Sequence, residues 1–403
     1  MMSKARVRVL VMTTYYHPVI GGVETHARQL ATHLHRRGFG VKVVTKRIGA
    51  DDPTESRVDD ITVFRVGPAG DRRASGKWRA IPSFLSQTLA LKDDVDAIVC
   101  IDYRGIGVAA VMAGRRLGRP VVLQAATAGV LASASANDVS GVPAENPLVR
   151  LVKAPARAVY RGGDHFVCIG RDIERETLNA GIPRDRVHYL PHGVDVQRFR
   201  PATDHERTTI RQQEGWPVDR PVALFVGRLS TEKGVLDVLE AWRMLGDGRA
   251  WLVLVGPDMP AHPWDAGAKA RAFVKTHQLQ DRVRLYGPST NTARLYRAAD
   301  LFVQPSHFES FGISVIEAMA SGVPVVAAQV GGMRDFLVDG QNALLHEARS
   351  PMSIARALRR ALDDAGLRTQ LATAGLQTIQ EQFDEEALLD RYAALIESAV
   401  AQR

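Results

Sequence analysis

The chain of 403 residues has only two cysteines, few aromatics (6%) and no apolar run approaching the length of a membrane span. Cys100 and Cys168 sit in apolar, strand-like stretches and neither has a spaced partner, so a disulfide framework and a thiolate metal site have no support. Buried thiols in a reducing cytosol fit better, and the expected location is cytoplasmic. The first apolar stretch, Val7 to Met12, is too short for a signal-peptide core and reads as a strand. Internal repeats and low-complexity segments are missing. So are a Walker loop, a G-x-G-x-x-G fingerprint and a Ser-His-Asp order, which removes the usual signals of P-loop, dinucleotide and serine-hydrolase chemistry.

Acidic charge is scarce in one half. Residues 1–200 hold 30 Lys and Arg against 19 Asp and Glu, whereas the remainder holds 22 against 25, for a net charge of +8. A basic first half predicts an anionic acceptor or a peripheral contact with the inner membrane face on that side. Arg72, Arg73, Lys77, Trp78 and Arg79 combine cations with an aromatic, as interfacial segments do. Arg150, Lys153, Arg157 and Arg161 recur at helical spacing. A solvated loop and an ordinary basic helix face are the simpler explanation of both clusters. No nucleic-acid-binding module is present, so nucleic acid is not an expected partner.

Short apolar strands alternate with amphipathic helices from end to end, which predicts an α/β chain with parallel sheets covered by helices. Arg6–Met12, Val41–Thr45, Ala97–Ile101, Pro120–Leu123, His165–Ile169 and Val187–Leu190 read as strands of a first domain, with Val23–Arg37 a helix. Residues 195–219 lose apolar periodicity and read as a linker. A second alternation follows: Val222–Val226, Val235–Leu245, Ala250–Val255, Val283–Tyr286, Leu301–Gln304, Ile313–Ala320 and Pro324–Ala327. Two doubly wound Rossmann-like domains facing across a cleft are expected, residues 1–198 and 199–384, with a final amphipathic helix over about 385–403.

The most informative segment runs from His307 to Val326. Glu309 and Glu317 stand eight positions apart, with Gly312 between them and an apolar helical run ending at Gly322-Val-Pro324. Glu309 should lie at the carboxyl end of a strand, and Glu317 about one turn into the helix that follows. A strand end facing a helix N-terminus is where open α/β sheets hold phosphorylated ligands. Two acidic acceptors there suit a partner rich in hydroxyls. Gly21-Gly22 forms a second strand-to-helix junction, after the Tyr15-Tyr16-His17-Pro18 loop, where paired glycines let backbone approach a ligand. Arg228 and Lys233, five positions apart in a loop ending at Gly234, set two cations after the second domain's first strand.

The Glu309–Glu317 segment resembles the acidic signature (Glu, seven residues, Glu) of the GT4-type retaining glycosyltransferases of the GT-B fold. The resemblance extends over nearly the whole chain, through Gly21-Gly22-Val-Glu24, Pro191-His192-Gly193-Val-Asp195, Gly227-Arg228-Leu-Ser-Thr-Glu232-Lys233-Gly234 and Val330-Gly331-Gly332. It implies a nucleotide-sugar donor, UDP-linked first and GDP-linked second, and no cofactor beyond that co-substrate. It implies that Glu309 contacts the donor sugar, that Glu317 takes both ribose hydroxyls, and that Arg228 and Lys233 hold the diphosphate. Backbone at Phe311, Gly312 and Ile313 would reach sugar or phosphate oxygens. Gly21 and Gly22 would lie under the diphosphate, and the Gly287–Thr290 backbone would meet the base. The acceptor would be a glycan, a lipid-linked molecule or a small molecule. The final helix would pack back on the first domain.

Two positions depart from the family pattern. A His expected at the end of the Pro120–Leu123 strand is replaced within Gln124-Ala-Ala-Thr127, and the usual Asn before Gly193 is His192. Gln124 cannot titrate, yet it can still hydrogen-bond a sugar hydroxyl. With Asp102, after the Ala97–Ile101 strand, these two are the acceptor-side candidates. Asp94-Val-Asp96 contains a carboxylate pair of the kind that binds a cation, but it starts a strand far in sequence from the donor signature; no metal is expected. A GT-B epimerase or phosphorylase, and an inactive nucleotide-sugar-binding scaffold, remain the competing readings.

Overall fold

The computed structural model describes residues 7–19, 21–69, 76–131, 147–246, 248–260 and 262–403. Arg72 and Arg73, and the side chains of Lys77 and Arg150, lie outside the described residues. The chain forms two compact units, residues 1–192 with 386–403, and residues 193–385.

Among the described residues, the first unit holds eight strands: β1 (Arg8–Thr13), β2 (Gly40–Lys46), β3 (Glu55–Val58), β4 (Ile61–Val66), β5 (Ala97–Ile101), β6 (Val121–Ala125), β7 (His165–Cys168) and β8 (Val187–Tyr189). Their order is β3-β4-β2-β1-β5-β6-β7-β8. Every pairing is parallel except the β3–β4 hairpin at the edge. All five residues of β5 are buried, as a strand covered on both faces requires, which is why its sequence is an unbroken apolar run. The helix Gly22–Arg36 packs Ala27, Leu30, Ala31 and Leu34 onto β1 and β2. The helix Glu385–Ala401 adds Leu389, Tyr392, Ala393 and Ile396 to that same core.

The second unit holds β9 (Val222–Val226), β10 (Trp251–Val255), β11 (Val283–Gly287), β12 (Leu301–Gln304), β13 (Val325–Ala328) and β14 (Leu344–His346). The order is β11-β10-β9-β12-β13-β14, parallel throughout. Numbered from β9, this is the 3-2-1-4-5-6 order of a dinucleotide-type doubly wound sheet. The helix Val235–Leu245 seats Val238, Leu239 and Trp242 against Phe225, Leu252 and Leu254.

The expected linker over residues 195–219 is not unstructured: it contains the helix Asp204–Glu214. Its polar sequence hid the helical stripe, but the end signals are there. Thr203 Oγ1 accepts from Glu206 N (3.1 Å), and Gly215 closes the helix in the left-handed conformation. The apolar return is small. Ile210 is buried, and Arg211 is buried where it pairs with Asp300.

Because Ile396 is fully buried in the first unit, Ile396→Ala should cost that unit about 2–5 kcal/mol through lost burial and a residual cavity. Calorimetry reads this as a lowered transition for that unit, and an unchanged transition would refute the docking of the final helix.

Candidate active site

In the second unit the connections turn in opposite directions on either side of the β9–β12 pair, so a crevice opens at the carboxyl ends of these two strands. Two loops leave there, residues 227–234 after β9 and 305–312 after β12. Glycine permits their close approach. At Gly234 (φ +70°), a Cβ would lie 2.1 Å from the Pro305 carbonyl oxygen. At Gly331 (φ +49°), a Cβ would lie 1.8 Å from the Glu309 carbonyl oxygen, which accepts from Gly332 N (3.1 Å). The Val330-Gly331-Gly332 turn is therefore the support on which the backbone of Glu309 rests. Gly331→Ala should cost about 1–3 kcal/mol. It should also shift Glu309, which a melting curve with and without UDP would detect; a variant identical to wild type in both would argue against that support.

The crevice brings the two groups of charged residues together. Lys233 Nζ donates to Glu309 Oε2 at 2.5 Å, with both side chains largely buried. Ser306 Oγ also donates to Glu309 Oε2 (3.4 Å) and accepts from Gln304 Nε2 (2.7 Å), while Ser314 Oγ donates to Gln304 Oε1 (3.2 Å). This chain of neutral groups orients the carboxylate without cancelling its charge. Arg228 is about half exposed and reaches Glu232 at 3.5 Å, a loose contact that leaves the guanidinium able to swing. Next to the loop, His307 Nε2 pairs with Asp237 of the helix Val235–Leu245, and His307 N donates to Glu232 O (2.8 Å).

Gly312 (φ +104°) ends the β12 loop and caps the helix Ile313–Ala320. The first N–H groups of that helix lack intrahelical partners and carry the positive end of its dipole. Glu317 lies one turn further on. Tyr296 OH donates to its Oε2 (2.9 Å). Burial pushes the Glu317 carboxyl up to about 7, against a smaller opposing effect of Tyr296 and Arg198. Arg198 also donates to Thr290 O (3.3 Å), at the loop following β11. Gly287 ends β11, and its carbonyl accepts from Gly256 N (2.9 Å). The Phe311 ring is buried against the packed pair Phe336 and Phe383, so this residue offers a ligand only its backbone.

The first unit has its own change of winding, between β1 and β5. Gly21 precedes the helix Gly22–Arg36, and the Glu24 carboxylate folds back over it: a Cβ on Gly21 would meet Glu24 Oε2 at 2.3 Å. Thr14 Oγ1 and Tyr16 OH, in the loop after β1, are buried without a hydrogen-bond partner among the described residues. Asp102, just past β5, has a left-handed backbone (φ +52°), and its buried carboxylate takes Arg104 Nε (2.7 Å) and Nη2 (3.2 Å). Strain of this kind concentrates at functional positions. Gln124, at the end of β6, is buried and its Oε1 accepts from His26 Nε2 (3.1 Å). His192 stands edge-on to His26, with ring centroids 4.5 Å apart. Burial lowers the His26 imidazole to about 4 and His192 well below its ordinary value, so both rings are neutral at pH 7. Asp94 and Asp96 are taken by Lys42 (2.7 Å) and Arg8 (2.7 Å). Of the helical basic stripe, Arg157 is buried and donates to Val130 O (3.3 Å), and Arg161 donates to Ala180 O (3.2 Å).

Comparison with known proteins identifies the family. Residues 20–198 match the model of Glycosyltransferase Family 4, and residues 206–378 that of Glycosyl transferases group 1. A D-inositol 3-phosphate glycosyltransferase from Xylanimonas cellulosilytica is 31% identical over 392 residues, 93% of this chain and 91% of that one. The chain is a group 1 glycosyltransferase. Its fold is GT-B: sucrose-phosphate synthase from Thermosynechococcus elongatus superposes with a TM-score of 0.80 at 23% identity, over 98% of this chain and 100% of that chain. Anabaena HepE in complex with UDP and glucose gives 0.78 at 20% identity, over 98% and 100%.

In this glycosyltransferase, sequence reasoning missed Tyr296, Gln304, Ser306 and Ser314, the groups that hold the two signature glutamates. The polar residues that end and follow the apolar strand β12 could have signalled Gln304, Ser306 and Ser314, whereas Tyr296, on the helix Thr292–Ala298, left no signal. Among the described residues, no helix is long and apolar enough to cross a membrane.

Proposed function

We propose that this glycosyltransferase retains anomeric configuration and works without a metal. It would move a hexose-type sugar from a nucleotide diphosphate, UDP first and GDP second, to an acceptor hydroxyl. The observation that carries the reading is the 2.5 Å contact of Lys233 with Glu309 at the start of the helix Ile313–Ala320. One cation, one carboxylate and a helix N-terminus converge there, and a sugar diphosphate offers a complement to each. Lys233 and Arg228 would hold the diphosphate, and the amides of Gly312 and Ile313 its oxygens. Glu309 would accept from sugar hydroxyls and Glu317 from the ribose. The Gly287 backbone would border the base.

Of the groups assigned here, Arg228 and Lys233 are cations and Glu309 and Glu317 take sugar hydroxyls, so none is assigned as a base. That composition suits a same-face reaction in which the departing phosphate oxygen takes the acceptor proton as the glycosidic bond breaks. Charge then builds on the diphosphate, where fixed cations favour the transition state over the ground state. On the acceptor side, Asp102 and Gln124 stand at the change of winding of the first unit. His192 acts through packing against His26. The complex of HepE with UDP and glucose supports the UDP preference.

The test is a thermal-shift screen of UDP, GDP, ADP and TDP and their common sugars, repeated on Arg228→Ala and Glu317→Ala. At one hundred times its dissociation constant, the right nucleotide should stabilise the fold by about 2.7 kcal/mol. One nucleotide series that shifts wild type and neither variant supports the reading and identifies the base. No shift with any of them overturns the nucleotide-sugar reading.

A further inference from the structure

Lys233 and Glu309 sit on different loops, and the backbone brings those loops side by side. At Gly234, next to Lys233, a Cβ would lie 2.1 Å from the Pro305 carbonyl oxygen. His307 N donates to Glu232 O (2.8 Å), one residue before Lys233. A side-chain tie is added to these. His307 Nε2 donates to Asp237 Oδ2, and Asp237 stands in the first turn of the helix Val235–Leu245. His307 therefore grips the segment around Lys233 from both sides, at Glu232 before it and at Asp237 after it. The two side chains are only 20% and 23% exposed, so water has little access to replace the bond between them.

Asp237 also acts electrostatically on His346, but that imidazole cannot hold it. Burial keeps the His346 ring neutral, and its Nδ1 donates to Glu347 O (2.9 Å), which leaves Nε2 able only to accept. The residue beside His307 reaches the other way: Ser306 is fully buried, and its Oγ donates to Glu309 Oε2 (3.4 Å). Residues 306 and 307 are consecutive, so the pull of Asp237 on His307 fixes the backbone from which Ser306 meets Glu309. A misplacement of about 1 Å at a reacting site can cost on the order of 10²-fold in rate. We propose that His307 is a positioning residue for the donor: bound to Asp237, it sets the spacing of the loops after β9 and β12, and so the place from which Lys233 meets the diphosphate. This role rests on the nucleotide-sugar reading of the crevice. It needs a donor that reaches Asp237, not a titrating ring, so a neutral amide of similar reach should serve.

The test titrates the full chain calorimetrically with UDP, or with the nucleotide that the thermal-shift screen selects, on wild type, His307→Ala, His307→Gln, Lys233→Ala and the double variant His307→Ala with Lys233→Ala. Melting curves fix a temperature at which every protein is folded. At that temperature a role confined to stability would leave affinity untouched. The expected result is affinity about tenfold weaker in His307→Ala, and within about threefold of wild type in His307→Gln. In the Lys233→Ala background, His307→Ala should have no further effect, because the group it positions is gone. Equal affinity in wild type and His307→Ala overturns the proposal, and so does the same loss from His307→Ala with and without Lys233. A His307→Gln variant as weak as His307→Ala also overturns it, since the ring itself would then be the requirement. Should His307→Ala fail to fold, Asp237→Ala releases the same tie from the helix side and is read by the same criteria. Failure of wild type to bind any nucleotide is a different outcome: it removes the nucleotide-sugar reading, and the positioning role falls with it.

Discussion

Lys233→Ala should lower kcat by two to three orders of magnitude, the effect of removing one donor to developing charge, about 3–4 kcal/mol. The 2.5 Å contact gives this prediction a second half. Without a donor, Lys233 is held by Glu309; to bind a diphosphate it must change partner. Glu309→Gln would loosen that hold, so UDP should bind several-fold tighter to this variant even as turnover falls. Lys233→Ala should show the opposite pattern, with weaker UDP binding and a less stable fold, because the largely buried Glu309 carboxylate loses its cation. Lys233→Arg keeps the charge but not its compact shape, and should recover only part of the rate. Retention of a tenth or more of wild-type kcat by Lys233→Ala would remove this residue from the catalytic set.

Affinity for UDP-glucose should fall about tenfold for each pH unit below about 7, and level off above it. The cause is the Glu317 carboxyl, pushed up from an ordinary value of 4.5 to about 7 by burial. Two ribose hydroxyls donate to the two oxygens of the ionised form, so protonation turns one of those acceptors into a donor and loses the charge assistance of the other. UDP-glucose is the ligand to use, since its phosphates do not titrate in this range. The Tyr296 hydroxyl favours the ionised carboxylate, so Tyr296→Phe should move the decline to higher pH. Stability runs the other way. A carboxyl whose folded value is raised holds its proton more tightly folded than unfolded. The fold therefore loses stability as pH rises from about 4.5 to about 7, with no further loss above. Glu317→Gln should bind UDP-glucose weakly at every pH, with a flat profile, and be more stable than wild type at pH 8. A pH-independent affinity in wild type, measured by calorimetry between pH 5.5 and 8.5, would refute the role given to Glu317.

The strands that sequence reading placed best were those buried on both faces. Ala97–Ile101, Val222–Val226 and Leu301–Gln304 lie where the apolar runs put them, because a doubly covered strand leaves no polar position to blur its ends. The edge hairpin Glu55–Val66 was invisible: only Ile61 and Val63 of its two strands are buried, and its alternation is short. The helix Asp204–Glu214 escaped because it buries little apolar surface. At the candidate site, charged residues were legible from spacing. Gly331 was legible as part of a motif, but the reason for it is tertiary, a carbonyl oxygen 1.8 Å from where its Cβ would be. Gln124 shows the limit most clearly. Its departure from the expected His was visible, whereas its partner His26, 98 residues earlier, could come only from the fold.

The return of the chain to its first unit has a consequence for synthesis. Residues 193–385 are made, and can close their own sheet, before Leu389, Tyr392, Ala393 and Ile396 exist to fill the core around β1. The usual vectorial order, in which the earlier domain matures first, is thereby inverted. The unit translated first must wait on the ribosome with an open apolar seam under the helix Gly22–Arg36. The unit translated second has no such debt to later residues. A nascent chain arrested after residue 385 should thus resist protease in its second half while its first half is still cut.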